Sequence, residues 1–106
     1  MKSYTDIEQS KKLAEILSNK TSDMYYWCGE DIRFGGHKAQ DKDYDIPCWS
    51  LAALLDILHD YTLQTNSDGS VFVVCDSKKP MISDNYRNPV DACVDMILKL
   101  KERNLI

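Results

Sequence analysis

The segment from Asn88 to Leu100 carries the strongest structural signal in this chain. Asn88 is a favoured helix N-cap, Pro89 suits the first helical position, and Asp91 falls in the first turn. Apolar residues then recur at helical spacing, at Val90, Cys93, Val94, Ile97, Leu98 and Leu100, with Met96 near the margin of the stripe. A helix with one apolar stripe must bury it against other elements, so this segment predicts a helix packed on a core.

The strand signals precede this helix. Residues 71–75 are apolar throughout, which predicts a central strand, and residues 61–65 alternate apolar and polar as a half-buried strand does. A turn at residues 66–70, with Gly69 free to take a positive φ, separates them. Residues 81–83 follow as an expected edge strand, so the three segments predict an antiparallel meander.

The first half of the chain predicts two more helices and one or two strands. Thr5 and Glu8 fit a capping box, which predicts a helix over residues 5–18. The short aromatic run at 24–28 predicts a strand, and 31–34 a shorter one. A second, largely apolar helix is expected to begin at Pro47.

These elements give the order α-β-(β)-α-β-β-β-α. We expect one α+β domain over residues 1–106, with about three helices packed on one face of a small antiparallel sheet of three to four strands. A chain of 106 residues with 43% apolar residues can fill such a core. No apolar run exceeds five residues, so the sequence predicts no membrane span.

The charge distribution argues against a nucleic-acid partner. The net charge is −4, and residues 23–86 hold eleven acidic residues against five basic ones, a net charge of −6 for that segment. Nucleic-acid binders carry a basic stripe, because phosphate contacts supply most of their affinity. The one dense basic cluster, Lys99, Lys101 and Arg103, complements the negative end of the predicted last helix.

The four cysteines predict neither a metal site nor a redox centre. Cys28, Cys48, Cys75 and Cys93 form no C-x-x-C pair, and each lies in an apolar segment. We expect buried, reduced thiols in a cytoplasmic protein, with no cofactor. The N-terminal residues are polar and show no secretory signal.

The sequence holds no catalytic signature, and we do not expect an enzyme. There is no G-x-S-x-G motif, and the cysteines lie in core-like rather than electropositive surroundings. One alternative stays open, a small-ligand binder or hydrolase. It would use His37, in a glycine-rich loop, together with Asp41, Asp43 and Asp45.

Aromatic residues near the long loop form the other candidate site. Tyr25, Trp27, Phe34, Tyr44 and Trp49 either close the core or form a surface for a protein partner, since Tyr and Trp dominate interface hot spots. The acidic loop beside them would suit a basic partner. We therefore expect a small protein-interaction or regulatory module. A homodimer paired through the edge strand at 81–83 is a further hypothesis.

Three runs of the sequence carry a family resemblance. They are EQSKKLAEIL from Glu8, IPCWSLAALL from Ile46 and NPVDACVDMILKL from Asn88. With them, the chain resembles a family of small uncharacterised proteins encoded by Bacteroidetes genomes, prophages and mobile elements. The resemblance is weakest at residues 29–45 and in the meander. It implies a bacterial, cytoplasmic setting, such as a phage or mobile-element accessory protein, and assigns no activity and no site residue.

Overall fold

A computed structural model describes residues 2–18, 21–27, 31–34, 45–58, 61–75 and 81–103. Over these residues the chain forms three helices and six strands, all paired antiparallel, so the predicted α+β class is confirmed. In chain order the elements are α1 (Ile7–Ala14), β1 (Met24–Trp27), β2 (Asp31–Phe34), β3 (Ile46–Cys48), α2 (Leu51–Ile57), β4 (Thr62–Thr65), β5 (Val71–Cys75), β6 (Met81–Ile82) and α3 (Pro89–Glu102).

The strands divide into two three-stranded sheets instead of continuing in one. The first sheet has the order β2-β1-β3, and the second is the predicted meander, β4-β5-β6. The N-terminal segment pairs with the chain that leaves β3. Tyr4 and Ser50 form an isolated antiparallel bridge, flanked by hydrogen bonds from the Thr5 N–H to the Trp49 carbonyl and from the Leu51 N–H to the Ser3 carbonyl.

Helix α1 begins later than the sequence predicts, and a different residue caps it. The Asp6 carboxylate accepts the Gln9 N–H, and the Gln9 side chain accepts the Asp6 N–H, which completes a capping box. The predicted Thr5–Glu8 box is therefore wrong. The Thr5 hydroxyl cannot serve as the cap because it is engaged inside the protein, as described below.

The prediction that Pro47 starts the second helix is also wrong. Pro47 lies in β3, opposite Tyr25 of β1. Proline lacks an N–H and is tolerated at a sheet edge, which is where β3 lies in its sheet. Ser50 caps α2 instead, because its hydroxyl accepts the Ala53 N–H at 3.2 Å.

Helix α3 is close to its prediction, with Asn88 as N-cap and Pro89 in its first turn. Its buried stripe differs from the prediction at two positions. Met96, expected at the margin, is fully buried, and Leu98, expected within the stripe, is only partly buried. This helix packs against β5 and α2 and forms the centre of the main apolar cluster. A second, smaller apolar cluster lies between α1 and the first sheet, around Met24, Tyr26 and Cys48.

Candidate functional site

The first sheet presents two different faces, and the predicted aromatic residues divide between them. In the β1–β2 ladder Tyr25 pairs with Arg33 and Trp27 pairs with Asp31, whereas Phe34 pairs with Met24. Paired residues belong to the same face of a sheet, and neighbours along a strand alternate between faces. Positions 25 and 27 therefore share one face, and position 34 lies on the other. Trp49 is fully buried in the main apolar cluster and closes the core, and Tyr44 lies outside the described residues.

The face of the first sheet that carries Met24 is covered. Met24 and Tyr26 of β1 and Cys48 of β3 are buried, and Ile7 of α1 packs against them. Ile32 of β2 belongs to the same cluster. This face contributes to the core and is closed to a partner.

On the opposite face of the first sheet, the described side chains are less buried. Tyr25 and Pro47, which pair across β1 and β3, are each partly exposed, and neither belongs to the two apolar clusters. Arg33, across from Tyr25 on β2, is exposed. An aromatic ring, a proline and the alkyl part of an arginine side chain thus lie side by side on adjacent strands. We call this surface, Tyr25, Arg33 and Pro47, the outer face.

Only one of the four residues of the alternative ligand site lies within the described part of the chain. His37, Asp41 and Asp43 lie outside the described residues. Asp45 precedes β3, is only 9% exposed, and has an interaction within the protein. A carboxylate in this position serves the fold.

A buried polar cluster around Thr5 was not anticipated from the sequence. Thr5 and Ser10 are fully buried, and their hydroxyl oxygens lie 2.7 Å apart. The Trp49 N–H donates to the Thr5 hydroxyl at 3.1 Å, and the Tyr26 hydroxyl donates to the Thr5 carbonyl at 2.7 Å. One threonine therefore joins the N-terminal segment to α1, β1 and the chain after β3.

The thiol in this cluster is not poised for chemistry. The Cys48 sulfur lies 3.5 Å from the Thr5 hydroxyl oxygen and donates to the Thr5 carbonyl at 3.4 Å. Burial raises the pKa of the Cys48 thiol, and burial likewise raises the pKa of the Tyr26 hydroxyl. Both groups stay protonated at neutral pH, and a protonated, fully buried thiol is a poor nucleophile. The cluster supports structure.

Cys93 behaves in the same way. It is fully buried in α3, and burial raises its pKa to about 11. Cys48 and Cys93 are both free thiols, as the sequence predicts. The side chains of Cys28 and Cys75 lie outside the described part of the chain.

A second polar cluster joins the N-terminal segment to α3. The Asp91 carboxylate accepts from Lys2 Nζ at 2.7 Å, from Gln9 Nε2 at 2.8 Å and from Asn88 Nδ2 at 2.8 Å. We call these four residues the Asp91 clamp. Beside it runs an open groove of about 320 Å³, with Leu98 on its α3 side. Because three donors already satisfy the carboxylate, the clamp tethers α1 to α3 and leaves little unused hydrogen-bonding capacity for a ligand.

The Asp91 clamp should make stability depend on acid pH. Burial alone would raise the pKa of Asp91, but hydrogen bonds from Lys2, Gln9 and Asn88 outweigh it and hold the pKa below its usual range. A carboxyl whose folded-state pKa is depressed stabilises the fold above its unfolded pKa of about 4, and this contribution is lost as pH falls through the folded-state value. We expect D91N to be less stable than the native protein at neutral pH, and the difference to shrink below about pH 4.

Urea unfolding of both proteins at neutral and acid pH would measure this effect. D56N, which changes an exposed carboxylate of α2, is the matched control. A stability difference between D91N and the native protein that stays constant with pH would contradict the assignment.

The residues that the structure describes contain neither a candidate metal site nor a candidate membrane-spanning helix. No three histidine, cysteine or acidic side chains there are grouped so that they could hold a metal ion. None of the helices in these segments combines the length and the apolar composition that a membrane span requires.

Compared with protein-family models, curated proteins and solved structures, the chain matches none.

Proposed function

We propose that this protein is a small protein-interaction or regulatory module whose partner binds the outer face of the first sheet. The observation that carries the proposal is the contrast between the two faces of one sheet. One face is packed against α1, whereas Tyr25 and Pro47 on the other are partly exposed and belong to neither apolar cluster. Exposed aromatic residues on rigid strands lose little conformational entropy on binding, which suits them as interface anchors.

The partner that this surface would suit is a protein of basic character. Residues 23–86, which include the whole first sheet, hold eleven acidic residues against five basic ones. A net negative charge in this part of the chain favours encounter with a basic partner and disfavours acidic ones, while the aromatic contact would supply affinity. The resemblance to phage and mobile-element proteins implies that the protein would meet such a partner in the bacterial cytoplasm.

Replacing Tyr25 with alanine should weaken partner binding by about tenfold or more, the loss expected for an aromatic hot spot. The matched control is Y4A, because Tyr4 is a tyrosine that is 37% exposed and lies in the N-terminal segment, away from the outer face. The partner would first be captured from a lysate of the source bacterium and identified by mass spectrometry. Its affinity for the purified native protein and for both variants would then be measured by titration calorimetry.

Circular dichroism should show that both variants are folded. If Y25A binds the partner as tightly as the native protein, or if Y4A weakens binding equally, the outer face is not the partner surface. W27A, which changes the neighbouring position on the same face of β1, extends the test along the strand.

A further inference from the structure

The second sheet has an outer strand, β4, which pairs with β5 along one side and with no other described strand along the other. Val73 donates its N–H to the Ser83 hydroxyl and accepts the Ser83 N–H, and Val71 exchanges two backbone hydrogen bonds with Tyr86. Residues 71 and 73 of β5 therefore direct their backbone groups away from β4, and residues 72 and 74 direct theirs towards it.

The same alternation fixes the direction of each backbone group in β4. Thr62 and Gln64 pair with residues 74 and 72, so they bond to β5. Leu63 and Thr65 consequently direct their N–H and C=O groups outward. Among the described residues none pairs with them.

The residues of β4 itself carry none of the side-chain features that usually protect a sheet edge. Natural edges are kept from pairing by lysines, prolines, bulges or very short strands. The sequence of β4 is Thr-Leu-Gln-Thr, with no charge, no proline and three exposed side chains. The opposite edge differs, because β6 has two residues and the N–H of Asp84, just beyond it, donates to Asp95 at 2.9 Å.

We propose that β4 pairs antiparallel with β4 of a second copy of this chain, forming a continuous six-stranded sheet. With the two-fold axis at Gln64, the outward groups of Leu63 in one copy meet those of Thr65 in its partner. Four backbone hydrogen bonds result, two on each side of the axis. The match is reciprocal, as a two-fold contact requires.

Net charge and contact area together define how tightly the two copies should associate. Each chain carries a net charge of −4, yet no charged residue of β4 would face its counterpart. A contact made by four residues of each chain buries far less surface than the roughly 800 Å² per partner that stable complexes bury. The dimer should therefore form at high protein concentration and dissociate on dilution.

The residue on the axis provides the sharpest test. Gln64 is exposed, so a charge there leaves the monomer intact, but in the dimer it would lie directly opposite its own copy at the closest spacing in an antiparallel ladder. Like charges in that position are destabilising. We expect Q64K and Q64E each to raise the dimer dissociation constant by about tenfold or more, and an equimolar mixture of the two to restore association.

Sedimentation equilibrium from micromolar to millimolar concentration would measure these masses. The native protein should move from 12.2 kDa towards twice that mass as concentration rises. I82K, which places the same charge on the exposed Ile82 of β6, is the matched control and should associate as the native protein does.

Three outcomes would overturn the proposal. If the native protein stays monomeric throughout this concentration range, β4 does not pair with a second copy, and only a strand of another protein could pair with its edge. Association that I82K abolishes and Q64K retains would place the contact at β6. Association insensitive to both substitutions would place it elsewhere.

Discussion

Replacing Thr5 with valine should lower the free energy of unfolding by about 1–3 kcal/mol, although the two side chains have nearly the same shape. The Thr5 hydroxyl is the acceptor for the Trp49 N–H and a partner of Ser10, and all three residues are fully buried. Valine fills the same space but leaves the Trp49 N–H without its partner. A buried donor that loses its acceptor retains its full desolvation penalty, which is larger than the net value of an average hydrogen bond.

Urea unfolding followed by circular dichroism would measure the loss. T62V is the matched control, because Thr62 is an exposed threonine of β4, and the same substitution there should change stability by no more than about 0.5 kcal/mol. Equal effects of the two substitutions would show that the hydroxyl of Thr5 is dispensable.

Truncating Trp49 to alanine should have the largest effect of any substitution considered, a loss of about 3–5 kcal/mol. Trp49 is the largest fully buried side chain among the described residues, and it belongs to the main apolar cluster. Its indole N–H also donates to the Thr21 hydroxyl at 3.0 Å. The alanine variant loses this bond and leaves a cavity that its neighbours can fill only in part.

A less severe pair of variants separates the two contributions. W49F keeps most of the apolar volume and removes the indole N–H, whereas T21V removes the acceptor of that N–H together with the hydrogen bond that the Thr21 hydroxyl donates to the Ser18 carbonyl at 2.7 Å. We expect both to unfold at lower urea concentration than the native protein, with W49A lower still. The control is Y4A, which truncates an exposed aromatic residue. If W49A were no less stable than Y4A, Trp49 would contribute no more to the stability of the core than an exposed tyrosine does.

The elements with strong local signals were predicted well. The cap at Asn88 and the stripe that follows it define α3, and the apolar run and glycine turn define β5 and the meander, because propensity and burial agree there. At Thr5 and Pro47 local signals conflicted with tertiary structure. Both residues fit the start of a helix by type, and each is instead used in a contact with a distant part of the chain.

The candidate site was only partly accessible to sequence reasoning. The aromatic residues of β1 could be identified by type, but which of them share a face depends on register, and register is set by pairing with β2 and β3. The buried polar cluster left one trace in the sequence. Ser10 falls three residues from Ile7 and from Leu13, on the helix face that should be apolar, and a polar residue there indicates a buried hydrogen-bond partner.

The Asp91 clamp has a consequence for how fast this chain folds. Lys2 and Gln9 reach Asp91 across 89 and 82 positions of sequence. Helix α1 has only eight residues, too few to be stable alone, so it depends on tertiary contacts with β3 and, through the clamp, with α3. The two ends of these long loops must be brought together before the clamp can stabilise the fold. Contacts of such long range slow folding, because the entropy of loop closure is lost before the contact is gained.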